Sequence, residues 1–383
     1  MAWESITKMD KRTEFIEKVS RQTKSFSEIC REYEISRKTG YKWWKRYKEN
    51  GAEGLKEKSR KPYGCKHETP PDVVQLILED KLHHLKWGPK KIRTRLIRRG
   101  HENIPSARTV ANILKRHQLV ESRKGRKRFK SISQGIENRT ARHANEIWAV
   151  DFKGWFKTKD GKRCDPLTIT DLYSRYIICC QVVESQKYRD VRPVFEEVFA
   201  RYGLPKKIRS DNGAPFSTRG LGHLSRLSVW WMTLGIEPER IEPGKPQQNG
   251  QHERMHKTLK AENKPSRHSK SQQKALDCWR QEFNEERPHE GIGMKYPKDL
   301  YAPSTRIYNN GLSRIKYPRA YETRKVDSSG KFYWRGEKVF LGEAFSKTTI
   351  GLRRDDYDLY RVYFNEIHLA DLNAEEMKLM KKY

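Results

Sequence analysis

The sequence predicts a multidomain α/β protein. It should be helical in its first third, alternate strands and helices through its middle, and be strand-rich at its end. Three observations predict this. Two sets of short, serine-capped helices joined by tight turns precede residue 120, a strand-and-helix alternation begins near Asn145, and short glycine-punctuated strands follow Thr323. The 383 residues exceed one ordinary core, so two to four domains are expected.

The elements follow in order. Met9 to Gln22 reads as a helix, and Ser25 opens a second one with Glu28 at capping-box spacing. After a turn at Ile35, Ser36 caps a third helix. Two short helices around a tight turn, the second rich in cations, describe a helix-turn-helix over residues 1–64. Its last helix offers Arg37, Lys38, Lys42 and Arg46 to DNA; the plainer alternative is a solvated basic face. Residues 65–120 repeat the idea. Pro71 to Leu85 is a helix, Gly88-Pro89 opens another, and Ser106 caps a third. That third helix buries Val110, Ile113 and Leu114 and leaves Arg108, Thr109, Asn112, Lys115 and Arg116 for a groove. Residues 121–144 form a basic linker whose Arg123, Arg126 and Arg128 suit an arm lying along phosphates.

From residue 145 to 305 the pattern changes. Strands are predicted at Ile147 to Phe156, Leu167 to Thr170 and Tyr176 to Val183, then a helix at Val191 to Tyr202 and a strand at Lys207 to Arg209. A helix at Arg226 to Leu234, a strand near Ile236 and helices at Gly250 to Ala261 and Ser271 to Glu286 complete it. Three antiparallel strands followed by alternating helices and strands is the order of a ribonuclease-H-like fold. Residues 306–383 read as a small β-barrel-like domain, with Ala374 to Tyr383 predicted helical.

Composition points to the partner. Lys plus Arg number 81 against 49 Asp plus Glu, a formal charge of +32 spread along the chain. Phosphate neutralisation with counterion release accounts for such an excess, so double-stranded DNA is the expected partner. No apolar run approaches the ~20 residues of a membrane span, and neither a signal segment nor a basic amphipathic membrane helix is apparent. A cytoplasmic, nucleoid-associated protein is expected. The six cysteines (Cys30, Cys65, Cys164, Cys179, Cys180, Cys278) include no CxxC pair and fit reduced thiols rather than a zinc site.

Three carboxylates stand out in this positive chain. Asp151 follows the apolar run Ile147-Trp148-Ala149-Val150, where an uncompensated charge is costly. Asp211 ends a strand in Ser210-Asp211-Asn212-Gly213, and Glu253 lies in the first turn of a helix opened by Gln248-Asn249-Gly250. Singly, each has an ordinary reading as a buried acid, a turn former or a helix-dipole partner. Converging, they would hold two Mg²⁺ (or Mn²⁺) ions through hard oxygen ligands. Gln248, Asn249, Arg254 and Lys257 flank the site as candidate DNA contacts. His252 and His256, near Glu253, are expected in a surface role rather than as ligands, Asp171 in a hairpin turn, and Asp190 in a first helical turn.

These segments carry a resemblance. Ile147-Trp148-Ala149-Val150-Asp151-Phe152, Arg209-Ser210-Asp211-Asn212-Gly213-Ala214-Pro215-Phe216 and Pro243-Gly244-Lys245-Pro246-Gln247-Gln248-Asn249-Gly250-Gln251-His252-Glu253-Arg254 look like the retroviral-integrase-type core of bacterial insertion-sequence DDE transposases. Asn284-Glu285-Glu286-Arg287-Pro288-His289 resembles the segment that follows this core. The resemblance implies that Asp151, Asp211 and Glu253 are the catalytic triad of transposon-end cleavage and strand transfer, performed by at least a dimer on DNA. Forty-one residues lie between Asp211 and Glu253, more than is usual in that family, and Ser217 to Ser225 is the expected place of the surplus. Two rival readings are a DNA-binding regulator without catalysis and a ribonuclease-H-fold nuclease.

Overall fold

A computed structural model describes residues 7–58, 68–120, 141–242, 246–309 and 315–381. The linker cations Arg123, Arg126 and Arg128 lie outside the described residues, as does Cys65. The chain divides into two compact units, Met1–Thr69 and Pro70–Tyr383.

The first unit holds α1 (Lys8–Arg21), α2 (Phe26–Glu32) and α3 (Arg37–Asn50). Reciprocal capping boxes, Thr7 with Asp10 and Ser25 with Glu28, start the first two helices, and the Ser36 hydroxyl accepts the Thr39 N–H to start the third. Phe15, Ile16, Ile29, Cys30, Trp43 and Leu55 form its core. Gly40 lets α3 approach α2, since a Cβ there would sit 2.6 Å from Cys30 Sγ.

The second unit begins with α4 (Pro71–His83), α5 (Pro89–Arg98) and α6 (Ala107–Arg116), packed around Ile77, Trp87, Ile92, Val110 and Leu114. The cations of α5 are largely committed within this unit. Arg95 pairs with Asp80 and, at 2.6 Å, with Glu286, while Lys90 pairs with Glu290 at 2.8 Å. These pairs fasten the helical module to the central domain.

That domain contains β1 (Ile147–Phe152), β2 (Phe156–Lys157), β3 (Arg163–Asp171), β4 (Ile177–Val183), α7 (Tyr188–Tyr202), β5 (Lys207–Ser210), α8 (Arg226–Thr233), β6 (Glu237–Arg240), α9 (Gly250–Glu262) and α10 (Ser269–Glu285). The sheet runs β4-β3-β1-β5-β6, with β2 on the start of β3. β4, β3 and β1 pair antiparallel, and β1, β5 and β6 pair parallel. The order of strands and helices through this domain is the predicted one. The sheet separates two cores: Trp148 and Val150 of β1 join Phe195, Phe199 and Trp231 on one face. On the other face Ile177 and Cys180 of β4 pack under Met255, Leu259, Leu276 and Trp279 of α9 and α10. Asp171 accepts the Ser174 N–H at 2.8 Å in the β3–β4 turn, and Asp190 lies in the first turn of α7, each in the context its sequence indicates.

The last region corrects two expectations. Its strands β7 (Glu322–Lys325), β8 (Lys331–Trp334), β9 (Glu337–Phe340), β10 (Thr349–Arg354), β11 (Leu359–Phe364), β12 (Ile367–Asn373) and β13 (Lys378–Lys381) form an open sheet, β13-β12-β11-β10-β7, beside a β8–β9 hairpin. The sheet does not close into a barrel. The predicted terminal helix is instead the strand β13, paired with β12 through a turn in which Met377 takes φ 52°. Local charge in Glu375-Glu376-Met377-Lys378 favours a helix, but pairing and burial of Leu372 and Ala374 outweigh that weak preference. Between Asp211 and Glu253, the stretch expected to form a loop does so. Residues 217–224 form a loop closed by a Ser217–Leu224 bridge, and Leu224 joins Val229 and Met232 of α8 in the core of the terminal sheet.

Candidate active site

The register of the sheet builds the site. Asp151 lies opposite Thr168 across the β1–β3 pair, and Ala149 opposite Thr170. These four residues therefore share the face that α9 covers. On the parallel side Ala149 pairs with Arg209, so two residues further along each strand come Asp151 and Asp211. The Asp211 carboxylate accepts the Gly213 N–H at 3.2 Å, and a Cβ at position 213 would lie 3.0 Å from it. Glycine thus permits the tight turn that aims Asp211. Glu253 is exposed in the first turn of α9.

The electrostatics tie the three together. Burial pushes the Asp151 carboxyl up to about 7, the nearby Asp211 charge pushes the same way, and Glu253 and Asp165 add to it. The Phe152 N–H opposes this rise.

The two histidines of α9 are a correction. Both are drawn onto the sheet rather than left at the surface: His252 is 1% exposed, and the His256 side chain 13%. The His252 ring lies 2.7 Å from Thr168 Oγ1 through Nε2 and 2.8 Å from Thr170 Oγ1 through Nδ1. His256 Nε2 is also 2.7 Å from Thr168 Oγ1, and its Nδ1 is 3.9 Å from Asp151 Oδ2. Thr168 Oγ1 in turn donates to the Asp151 carbonyl at 2.9 Å. Burial pushes His256 down to about 4, with Lys153 assisting, and holds His252 well below its ordinary value. Asp151, His252 and His256 each bring a ligand atom to one place, all within 4.8 Å of one another. A signal for His256 stood in the sequence: Glu253-Arg254-Met255-His256 is a Glu-x-x-His spacing, which puts both side chains on one helical face.

The opposite side of α9 borders a cleft of different character. A cavity of about 110 Å³ is lined by Lys91, Arg175, Arg254, Arg287 and His289 among others. Arg287 is held by Glu262 through two hydrogen bonds of 2.6 and 2.9 Å. Burial and then Arg287 push Lys91 down to about 8, and burial and then Arg254 lower Arg175. His289 is pushed to about 3 by burial and by Lys91, Arg287 and Arg175, and its buried Nε2 has no hydrogen-bond partner. Sequence reasoning reached Arg254 but not Arg175, whose turn residues carry no cue that α5 and α9 will converge there.

The remaining predicted contacts fall into two groups. Arg37, Lys38 and Lys42 are exposed on α3, as are Arg108, Asn112, Lys115 and Arg116 on α6, and Arg254 and Lys257 on α9. Arg46 is half-buried with its guanidinium 5.1 Å from the Trp43 ring, and Thr109 is half-buried with its N–H taken by the Ser106 cap. Gln248 is engaged with Glu242 through its side chain, at 2.8 and 2.9 Å, and Asn249 is buried at the start of α9. A cavity of about 780 Å³, lined mainly by residues between 214 and 227 and by residues 340–345, is bordered by none of the three carboxylates.

Comparison with known families agrees with this layout. Residues 141–246 and 234–297 match models of the integrase core domain. Residues 11–63 match a helix-turn-helix domain, 39–114 a homeodomain-like domain, and 321–378 the C-terminal domain of IS481 family transposases. An uncharacterized protein of insertion element IS407 from Burkholderia multivorans is 27% identical over 161 residues, 41% of this chain and 56% of that protein. The transposase for transposon Tn552 of Staphylococcus aureus is 26% identical over 255 residues, 61% of this chain and 52% of that protein. The chain spans between about half and three fifths of the length of such relatives. Among solved structures, the HTLV-2 integrase catalytic core domain in complex with magnesium aligns over 42% of this chain and 99% of that one, at 15% identity and a TM-score of 0.34. Among the described residues no helix is long and apolar enough to cross a membrane. An integrase core thus lies between helix-turn-helix modules and a domain similar to the C-terminal domain of IS481 family transposases, an organisation that supports a bacterial insertion-sequence transposase of the DDE type.

Proposed function

We propose that this chain binds transposon ends and catalyses metal-dependent 3′-end cleavage and strand transfer into target DNA, with Asp151, Asp211 and Glu253 as its catalytic carboxylates. The observation that carries the reading is the crowding at Asp151, a half-buried acid whose ionisation is opposed by desolvation and by the Asp211 and Glu253 carboxylates. Such a group stays charged at neutral pH when cations offset the repulsion. Oxygen donors of this kind fit Mg²⁺ or Mn²⁺, two ions per site being the arrangement expected for in-line phosphoryl transfer. When bound, the ions supply Lewis-acid stabilisation of the attacking and leaving oxygens.

The chain's own residues do the rest. α3 and α6 present their exposed cations to the DNA, Arg254 and Lys257 take phosphates beside the site, and Asp151, Asp211 and Glu253 orient the reacting centre. In cleavage a water oxygen bonds to phosphorus as the P–O3′ bond breaks, leaving a 3′-hydroxyl and a 5′-phosphate. In transfer that hydroxyl attacks a target phosphorus and displaces the target's 3′-oxygen, which takes up the proton. One P–O bond forms for each one broken, so no outside energy source is required. Joining two ends to one target calls for at least two protomers on DNA.

The test is cleavage and joining of labelled transposon-end duplexes by purified protein in Mg²⁺. Asp151→Asn, Asp211→Asn and Glu253→Gln should each bind the duplex as the wild type does and yield no product. Binding without product in the wild type would favour the regulator reading. Cutting without preference for the end sequence would favour the nuclease.

A further inference from the structure

We propose that Nδ1 of His256 is a ligand of the ion held by Asp151, which gives this active site a nitrogen donor beside its carboxylates. The inference rests on the reading of Asp151 as a metal ligand and goes beyond it.

The hydrogen bonds around Thr168 assign the atoms. A hydroxyl has one proton to give, and Thr168 Oγ1 gives it to the Asp151 carbonyl at 2.9 Å. The two imidazole nitrogens that approach the same oxygen at 2.7 Å, Nε2 of His252 and Nε2 of His256, must therefore both carry protons and donate. His252 then accepts at Nδ1 from Thr170 Oγ1, 2.8 Å away, and has no lone pair left for a cation. Of the two histidines beside Asp151, His252 is thereby excluded as a ligand.

His256 is left with a bare Nδ1. That lone pair lies 3.9 Å from a carboxylate oxygen, too far for a hydrogen bond and within the span of two donors that share one cation at about 2.1 Å each. A ligand imidazole must be neutral, and the hydrogen bond that places the ring proton on Nε2 leaves the lone pair on Nδ1. Its tautomer is set by a partner on the far nitrogen, the arrangement that orients most metal-bound histidines. Glu253 lies one turn earlier on the same helix, so α9 supplies a carboxylate and an imidazole at i and i+3. A nitrogen donor favours Mn²⁺ over Mg²⁺ more strongly than an all-oxygen site does.

The full chain, metal-free and then loaded with one equivalent of Mn²⁺, tests this by electron spin-echo envelope modulation. The wild type should show nitrogen coupling to the manganese that changes isotope pattern when histidine is ¹⁵N-labelled. His256→Gln should lose the coupling, and its Mn²⁺-over-Mg²⁺ affinity ratio by calorimetry should fall by about tenfold or more. Absence of coupling in the wild type, or its persistence in His256→Gln, would overturn the proposal. Under a purely structural role, in which His256 only clamps α9 to Thr168, the wild-type manganese would show no nitrogen. Thermal melts in EDTA check folding, with His256→Asn in reserve. Asp151→Asn separates the two readings: undiminished Mn²⁺ binding in that variant removes the carboxylate site itself, whereas loss of binding there with an all-oxygen wild-type signal removes only His256.

Discussion

Helix α9 separates two places of opposite charge. Toward the sheet, desolvation and then the neighbouring Asp211 and Glu253 charges hold the half-buried Asp151 carboxyl at about 7. Toward α5 and the β3–β4 turn, burial and then the mutual repulsion of Lys91, Arg175, Arg254 and Arg287 lower the lysine and keep His289 neutral. Each is a local imbalance of like charge that the fold maintains and that a ligand of the other sign would relieve. The first suits cations, the second the phosphates that those cations act upon. The difference lies in geometry. The carboxylates come from β1, the end of β5 and the first turn of α9, all fixed within one sheet and its covering helix, whereas the cations come from the β3–β4 turn, α9 and a residue after α10, and Lys91 joins them only when α5 packs against the central domain.

The comparison breaks most severely at the carboxylates. Asp151→Asn should lower the rate of end cleavage by at least about a thousandfold, the several kcal/mol that metal stabilisation contributes to phosphoryl transfer. Single-turnover cleavage at saturating DNA measures it. The cationic side should fail differently. Arg175→Glu and Arg254→Glu should weaken end binding about equally across DNA sequences and reduce the salt slope by about one for each phosphate left without its cation, with little change in rate once DNA is saturating. Titrations from low to moderate salt read this. A slope equal to that of the wild type would mean that the cleft only packs the module against the domain.

What the sequence discloses follows the same division. Asp151, Asp211 and Glu253 each carry a local signature, respectively an apolar strand, a turn with glycine and a helix start, and the strand order that juxtaposes them is visible in periodicity. The helix starts were legible because capping is local chemistry: Ser25, Ser36 and Ser106 each cap the predicted helix. Arg175 was not legible because its environment is assembled from α5, α9 and residues after α10, far apart in sequence. His252 and His256 misled for a related reason, since histidine on a basic helix reads as solvated until Thr168 and Thr170 are placed beneath it. The end of the chain shows local propensity losing to pairing, with Lys378–Lys381 drawn into a strand by β12.

A smaller effect concerns protons on the carboxylate side. Asp151 must lose its proton to bind a cation, so Mn²⁺ affinity should rise as pH increases toward about 7, approaching a tenfold gain per unit, and level off above it. Calorimetric titrations at pH 6, 7 and 8 would sharpen the comparison. A flat profile would place the ion on Asp211 and Glu253 alone.

The smallest expected effect is on stability, where Asp151 and the buried histidines act with opposite sign. Folded His289 stays neutral to about 3 and takes up a proton near 6.5 when unfolded. Below pH 6.5 the unfolded state therefore binds more protons, and stability is lost as pH falls, by up to about 1.4 kcal/mol for each unit. Asp151 runs the other way. It keeps its proton up to about 7 when folded but only to about 4 when unfolded, so in metal-free protein it contributes stability as pH falls from 7 toward 4. His252 and His256 share the sign of His289, so the net slope of the wild type should be a loss of stability on acidification. Urea midpoints in EDTA at pH 5, 6 and 7 resolve the contributions. His289→Gln should flatten the acid loss and Asp151→Asn should steepen it. The same slope in both variants would mean that neither side of α9 holds its charges as tightly as their burial implies.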